Sequence, residues 1–199
     1  MHRATRSMYV LALATAVALV IVLVWSPVAA QPTCFGEPAT ILGTAGGDTL
    51  IGTPGNDVIV AGGGRDEVRA KAGRDKVCGG GGKDFLFGGT DQDSISGDIG
   101  ADRIVGGDGR DSLLGRKGAD LIRGGAGSDS MNGGGGPDDL RGGPGPDSAF
   151  GRGGDDRIHG GRLGDLLVGG RGFDRVDGGP GVDGCGGEIQ TRCEGPPGG

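Results

Sequence analysis

Histidine and the large aromatics are nearly missing: 199 residues include two His, one Trp, one Tyr and five Phe. Beyond residue 30 only His159 remains. There is no H-E-x-x-H pair to hold a catalytic zinc, and no G-x-S-x-G elbow with a buried base, so the chain reads as a non-enzyme. A surplus of Lys and Arg is missing too. The formal net charge is −6, which argues against nucleic acid, whose phosphates need a basic surface, and points to cations as partners. Long apolar runs are absent except for Tyr9 to Trp25, which follows Arg3 and Arg6 and precedes Pro27, Val28, Ala29 and Ala30. That is the layout of a secretory signal peptide over residues 1–30, cut before Gln31. The competing reading is an uncleaved membrane anchor, because the run approaches spanning length. A lipid anchor on Cys34 is disfavoured by Thr33 before it. Cleavage would remove Arg3 and Arg6 and take the net charge from −6 to −8. The exported chain carries no amphipathic membrane-inserting stretch, so it is read as not membrane-spanning.

Glycine, by contrast, occupies 51 positions, a composition that usually means low complexity or disorder. Periodicity overrules it. From Gly43 to Gly186, sixteen nine-residue units follow one another without insertion or deletion. The sixth position is always Asp: Asp48, Asp57, Asp66, Asp75, Asp84, Asp93, Asp102, Asp111, Asp120, Asp129, Asp138, Asp147, Asp156, Asp165, Asp174 and Asp183. The eighth is always apolar, from Leu50, Ile59 and Val68 to Leu167, Val176 and Cys185. The first and fourth are Gly except at Ala61 and Ala70, and at Asp91 and Leu163.

Each unit pairs a Gly-rich half that can turn tightly with a three-residue half that can be a short strand pointing its middle side chain inward. Two units close one coil. The fold class is therefore all-β: a parallel β-roll, a two-sheet solenoid of about eight coils of two nonapeptide units each. Residues 31–42 read as an N-terminal cap, 43–186 as the roll and 187–199 as a C-terminal cap with a disordered tail. One small apolar side chain per unit is little burial against the entropy of ordering a Gly-rich chain, and stacking Asp at one strand spacing adds repulsion. A hard divalent cation relieves both. Calcium takes six to eight oxygen ligands from carboxylates and main-chain carbonyls, and the Asp column beside Gly-rich turns offers both kinds.

The pattern GG-x-G-x-D-x-U-x, with U apolar, resembles the repeats-in-toxin (RTX) family, also called hemolysin-type calcium-binding repeats. The resemblance spans residues 43–186 and implies a parallel β-roll that binds Ca2+ through turn carbonyls and the sixteen Asp named above. Units that depart from it, with Ala70, Lys71 and Ala72 before Asp75, Arg116 and Lys117 before Asp120, and Leu163 before Asp165, are expected to bind poorly or to be distorted.

Alternating units sort the outward residues. Odd units present Arg103, Arg123, Arg141, Arg157, His159 and Arg175 with Phe85 and Phe87, whereas even units present a ladder of Ser94, Ser112, Ser130 and Ser148. The two faces are thus expected to differ in charge. The Arg face reads either as a grip for acidic surface polymers or a partner, or as an offset to the acidic turns. The Ser ladder reads as solvated small residues rather than a mineral- or ice-facing array. Four Cys in an exported chain suggest two disulfides. Cys185–Cys193 closing the last coil and Cys34–Cys78 tying the cap to the roll are the favoured pairs, with free thiols or intermolecular bonds as the alternative. The functional expectation is a secreted, extracellular calcium-binding module that folds on its ions and plays a structural or binding role. A calcium-dependent cytotoxic or hemolytic effector is the alternative, and a calcium-triggered sensor or buffer a third reading.

Overall fold

A computed structural model describes residues 31–186 together with Thr191 and Arg192. The expected leader, Cys193 and nearly all of the expected C-terminal cap and tail lie outside the described residues. The rest is two parallel nine-stranded sheets, with no helix among the described residues. The even sheet runs Ile41–Leu42, Val58–Gly63, Lys76–Gly81, Ser94–Ile99, Ser112–Lys117, Ser130–Gly135, Ser148–Gly153, Leu166–Arg171 and Gly184–Gly186. The odd sheet runs Thr49–Ile51, Glu67–Ala72, Phe85–Thr90, Arg103–Gly109, Leu121–Gly127, Asp139–Pro144, Arg157–Arg162, Arg175–Asp177 and Thr191–Arg192. Consecutive strands in the chain alternate between sheets, so every pairing within a sheet is a full coil apart. Ile104 pairs with Leu86 and Ile122, and Leu113 with Ile95 and Met131, each eighteen positions away. This is the β-roll that the nine-residue beat predicts.

The eighth-position side chains fill the interior. Ile59, Val68, Val77, Leu86, Ile95, Ile104, Leu113, Ile122, Met131, Leu140, Ala149, Ile158, Leu167 and Val176 are all buried, with Leu50 and Cys185 packed against them at the ends. Ile41, one unit before the first full repeat, pairs with Ile59 and joins the same column.

The strands are longer than the sequence suggests: most have six residues rather than three. They run on through the first three positions of the next unit, because the register pairs glycine with glycine there as well, as at Gly107 with Gly125. The turn is compressed into what remains. From Gly62 to Gly179 the second and fourth positions take left-handed backbone, for instance φ +116° at Gly125 and +135° at Gly127. A Cβ at those two sites would stand 2.0 and 1.6 Å from the carbonyl oxygens of Gly107 and Gly109 one coil away, which is why the pattern asks for glycine.

A short antiparallel pair, Thr33–Cys34 with Glu37–Pro38, lies at the N-terminal end. Cys34 is fully buried there and is disulfide-bonded to Cys78 on the even sheet. Cys185 is disulfide-bonded too; its expected partner, Cys193, falls outside the described residues.

Candidate metal-binding columns

Each sixth-position Asp sits immediately before its strand, at the point where the turn re-enters the sheet. The roll therefore stacks eight of them on one edge, from Asp48 through Asp66 to Asp174, and eight on the other, from Asp57 through Asp75 to Asp183. Those from Asp57 to Asp174 are buried, while Asp48 and Asp183, in the first and last units, are half-buried.

The two carboxylate oxygens have separate fates. Oδ1 accepts the main-chain N–H of the Asp one coil earlier, Asp93 N–H to Asp111 Oδ1 at 2.9 Å and Asp111 N–H to Asp129 Oδ1 at 2.9 Å. Fourteen such bonds, at 2.8 to 3.0 Å, run in two unbroken ladders. The Asp carbonyl is used as well, accepting from the strand two units on, as Ser112 N–H donates to Asp93 O at 2.9 Å. Oδ2 is different. In every Asp from Asp66 to Asp183 it is enclosed without any hydrogen-bond partner among the described residues.

The space beside it is also faced by a main-chain carbonyl. At Gly88, a Cβ would stand 2.3 Å from Asp93 Oδ2 and 2.7 Å from the Gly106 carbonyl oxygen; at Gly142 the corresponding distances, to Asp147 Oδ2 and Gly160 O, are 2.2 and 2.4 Å. The first-position glycine thus leaves a small hollow that a carboxylate oxygen and a main-chain carbonyl from the next coil both face. Among the described residues no three His, Cys, Asp or Glu side chains converge, so a cation here would be held by carboxylate together with backbone. That donor set is all hard oxygen and suits calcium, not zinc or copper.

The electrostatics agree with the geometry. Burial, reinforced by neighbouring carboxylates, raises Asp93, Asp102, Asp138 and Asp147 to about 7 and Asp111 to about 6, against the lowering effect of the ladder bond. The same causes, burial first, raise Asp75, Asp84, Asp156 and Asp165. Enclosed anions with a vacant lone pair are what a bound cation stabilises.

Asp48 and Asp57 stand apart. Their Oδ2 atoms are satisfied by the N–H and hydroxyl of Thr44, at 2.6 and 2.9 Å, and of Thr53, at 2.6 and 3.0 Å. The sequence reading missed these threonines. The available signal was Thr in a second position that ten of the sixteen units give to glycine.

The distortion expected in the irregular units is absent. Lys71, Arg116 and Leu163 adopt φ of 89°, 80° and 78°, and the ladder bonds to Asp75, Asp120 and Asp165 are all 2.8 Å. The neighbouring coils dictate the turn, and the side chain accepts the strain. Asp91, Asp98 and Arg152 do the same.

The family model described as RTX calcium-binding nonapeptide repeat (4 copies) matches residues 42–77, 79–113, 105–140, 132–167 and 163–188, nearly the whole described roll. A search of curated proteins found no match.

Proposed function

The chain belongs to the RTX calcium-binding nonapeptide-repeat family, and from that premise we propose that it is a secreted protein whose roll folds as calcium ions enter the two Asp columns, and which serves outside the cell as a structural or binding module. One observation carries the reading: the fourteen enclosed Oδ2 atoms from Asp66 to Asp183 that the protein itself leaves without a partner. In this assignment those carboxylates and the carbonyls facing them hold the ions. Calcium supplies charge neutralisation in a space that excludes water. Asp48 and Asp57 are weaker candidates because Thr44 and Thr53 already fill their second oxygen.

Export is supported by the leader-like residues 1–30 and by cystines at Cys34–Cys78 and Cys185. No helix among the described residues is long and apolar enough to cross a membrane. We assign the chain no catalytic step. His159 stands on the outer face with Nδ1 3.3 Å from Asp177 Oδ2.

The test is a calcium titration followed by circular dichroism and calorimetry, with magnesium and chelator in parallel. Strand signal and heat that appear together with calcium, and not with magnesium, are the expected result. Full strand signal in chelator, unchanged by calcium, refutes the proposal.

A further inference from the structure

The formal charge of −6 misstates the surface. Residues 31–186 hold sixteen column Asp, eight other acidic residues and seventeen Lys and Arg. Fourteen of the column Asp are buried, and no Lys or Arg is. Outside the columns basic residues therefore outnumber acidic ones about two to one. The negative charge is inside, facing the proposed calcium positions, and the positive charge is outside.

The six-residue strands decide where that positive charge lies. Arg116, Lys117, Arg152 and Arg171, which belong to turns if strands have three residues, are in strands of the even sheet, so the charge contrast expected between the two faces does not hold. The odd sheet differs in arrangement. Its guanidinium groups stand on five successive strands, Arg103, Arg157 and Arg175 at the strand starts and Arg123 and Arg141 two residues further along, with Arg123 beside Arg141 and Arg157 beside Arg175 in register. Asp139 holds Arg141 through two bonds of 2.9 and 3.0 Å. Among the described residues Arg103, Arg123, Arg157 and Arg175 have no such partner, and the Nε atoms of Arg103 and Arg123 are enclosed without an acceptor. Phe85 and Phe87 lie one strand from Arg103 and Val105.

We propose that the outer face of the odd sheet binds a linear acidic polysaccharide once the Asp columns are loaded with calcium. Arginine's planar fork pairs with carboxylate and sulfate oxygens, and four unpaired forks spread over five successive strands offer that contact along the roll axis. Strands recur every ~4.8 Å, and a pyranose unit advances its own chain by nearly the same step, whereas an extended nucleotide chain takes a longer one. The Phe87 ring and Val105 offer apolar surface to sugar-ring faces beside the charges, while the Phe85 ring carries the Arg65 guanidinium 5.2 Å from its centroid. Calcium enters through the field: with the columns empty and ionised the roll is net negative and repels a polyanion, and with them neutralised the outward arginines dominate. This inference rests on the calcium reading above.

The experiment measures binding of a heparin oligosaccharide to the protein by calorimetry in calcium and in chelator, with circular dichroism on the same samples, neutral dextran as the control, and single-stranded oligo-dT as a polyanion without charged sugars. Expected are binding in calcium alone, weakening with salt, and a loss on the order of thirtyfold in R103Q/R123Q/R157Q/R175Q at unchanged strand signal. R116Q/R152Q/R171Q on the even sheet leaves binding within about twofold. Absence of heparin binding by protein whose strand signal shows it folded overturns the proposal. So does equal affinity for oligo-dT, or binding that the odd-sheet variant retains. A strand signal indifferent to calcium instead sinks the calcium reading. The surface is then judged by the two variant sets alone: loss confined to the odd-sheet variant supports it, and any other pattern overturns it.

Discussion

Replacing Asp111 by Asn separates the two tasks of the column carboxylate, because the change is isosteric and only one oxygen is replaced. Oδ1 keeps its bond from Asp93 N–H at 2.9 Å. The amide NH2 takes the place of the unpartnered Oδ2, in the hollow over Gly106 where a Cβ would stand 2.3 Å from Oδ2 and 2.7 Å from the Gly124 carbonyl oxygen. It faces an acceptor instead of repelling it. Without calcium, Asp111→Asn thus removes an enclosed, unsatisfied acceptor, a defect worth ~1–3 kcal/mol, and the fold gains about that much. With calcium the sign turns. A site of ~0.1 mM affinity at ~1 mM calcium contributes ~1.4 kcal/mol, so losing one site, or two that share this carboxylate, costs ~1.4–3 kcal/mol. The assay is thermal unfolding by far-UV circular dichroism in calcium, and in chelator with trimethylamine N-oxide to favour the compact state. At ~2–4 °C per kcal/mol for a domain of this size, Asp111→Asn raises the midpoint by several degrees in chelator and lowers it by several degrees in calcium. Asp111→Ala, which also deletes the ladder bond, lowers it in both. A shift of the same sign for Asp111→Asn under both conditions refutes the reasoning.

Stability in chelator falls as pH rises: Asp93, Asp102, Asp138 and Asp147 titrate near 7 in the fold against ~3.9 in an unfolded chain. Their contribution is fully present below about pH 4 and is lost as pH climbs through 6 to 7. In calcium the trend inverts, since ions displace those protons, and unfolding midpoints recorded from pH 4 to 8 with and without the metal should cross. Thr44→Val and Thr53→Val each remove the hydroxyl bonded to Asp48 or Asp57, and urea midpoints should fall by ~1 kcal/mol per substitution to the same extent in high calcium and in limiting calcium. Leu163→Gly replaces an exposed side chain held at φ 78°, and a gain of up to ~1 kcal/mol is expected in calcium, net of glycine's added chain entropy; an unchanged urea midpoint would show that this turn carries no strain.

The architecture was legible because one period governs everything. Eight coils, two sheets, the Ile59-to-Val176 interior and even the extra strand at Ile41 follow from which residues recur every nine. Strand length was not legible. Glycine has no side chain to signal that it lies in a sheet, so Gly107 and Gly125 read as turn although they pair as strand. That single miss displaced Arg116, Lys117, Arg152 and Arg171 into turns and produced the expected contrast between faces. Irregular turns were judged by their side chains alone, whereas the coils on either side set the backbone of Lys71, Arg116 and Leu163.

The choice of Asp at the sixth position has a physical explanation in the division between its two oxygens. Asparagine supplies the ladder acceptor and would satisfy the hollow with its own NH2, giving a roll indifferent to metal. Glutamate carries its carboxylate one methylene further from the backbone, past the N–H that Oδ1 meets at 2.8 to 3.0 Å along both edges. Aspartate alone makes the ladder and leaves a second, charged oxygen enclosed and unpaired. Thr44 and Thr53 show what relieving that defect internally looks like. That relief occurs only in the first two units, at the N-terminal end of the roll. The column therefore builds a scaffold that is complete in hydrogen bonds between coils and incomplete in charge, and under the proposed function that incompleteness is what would make its stability depend on a divalent ion.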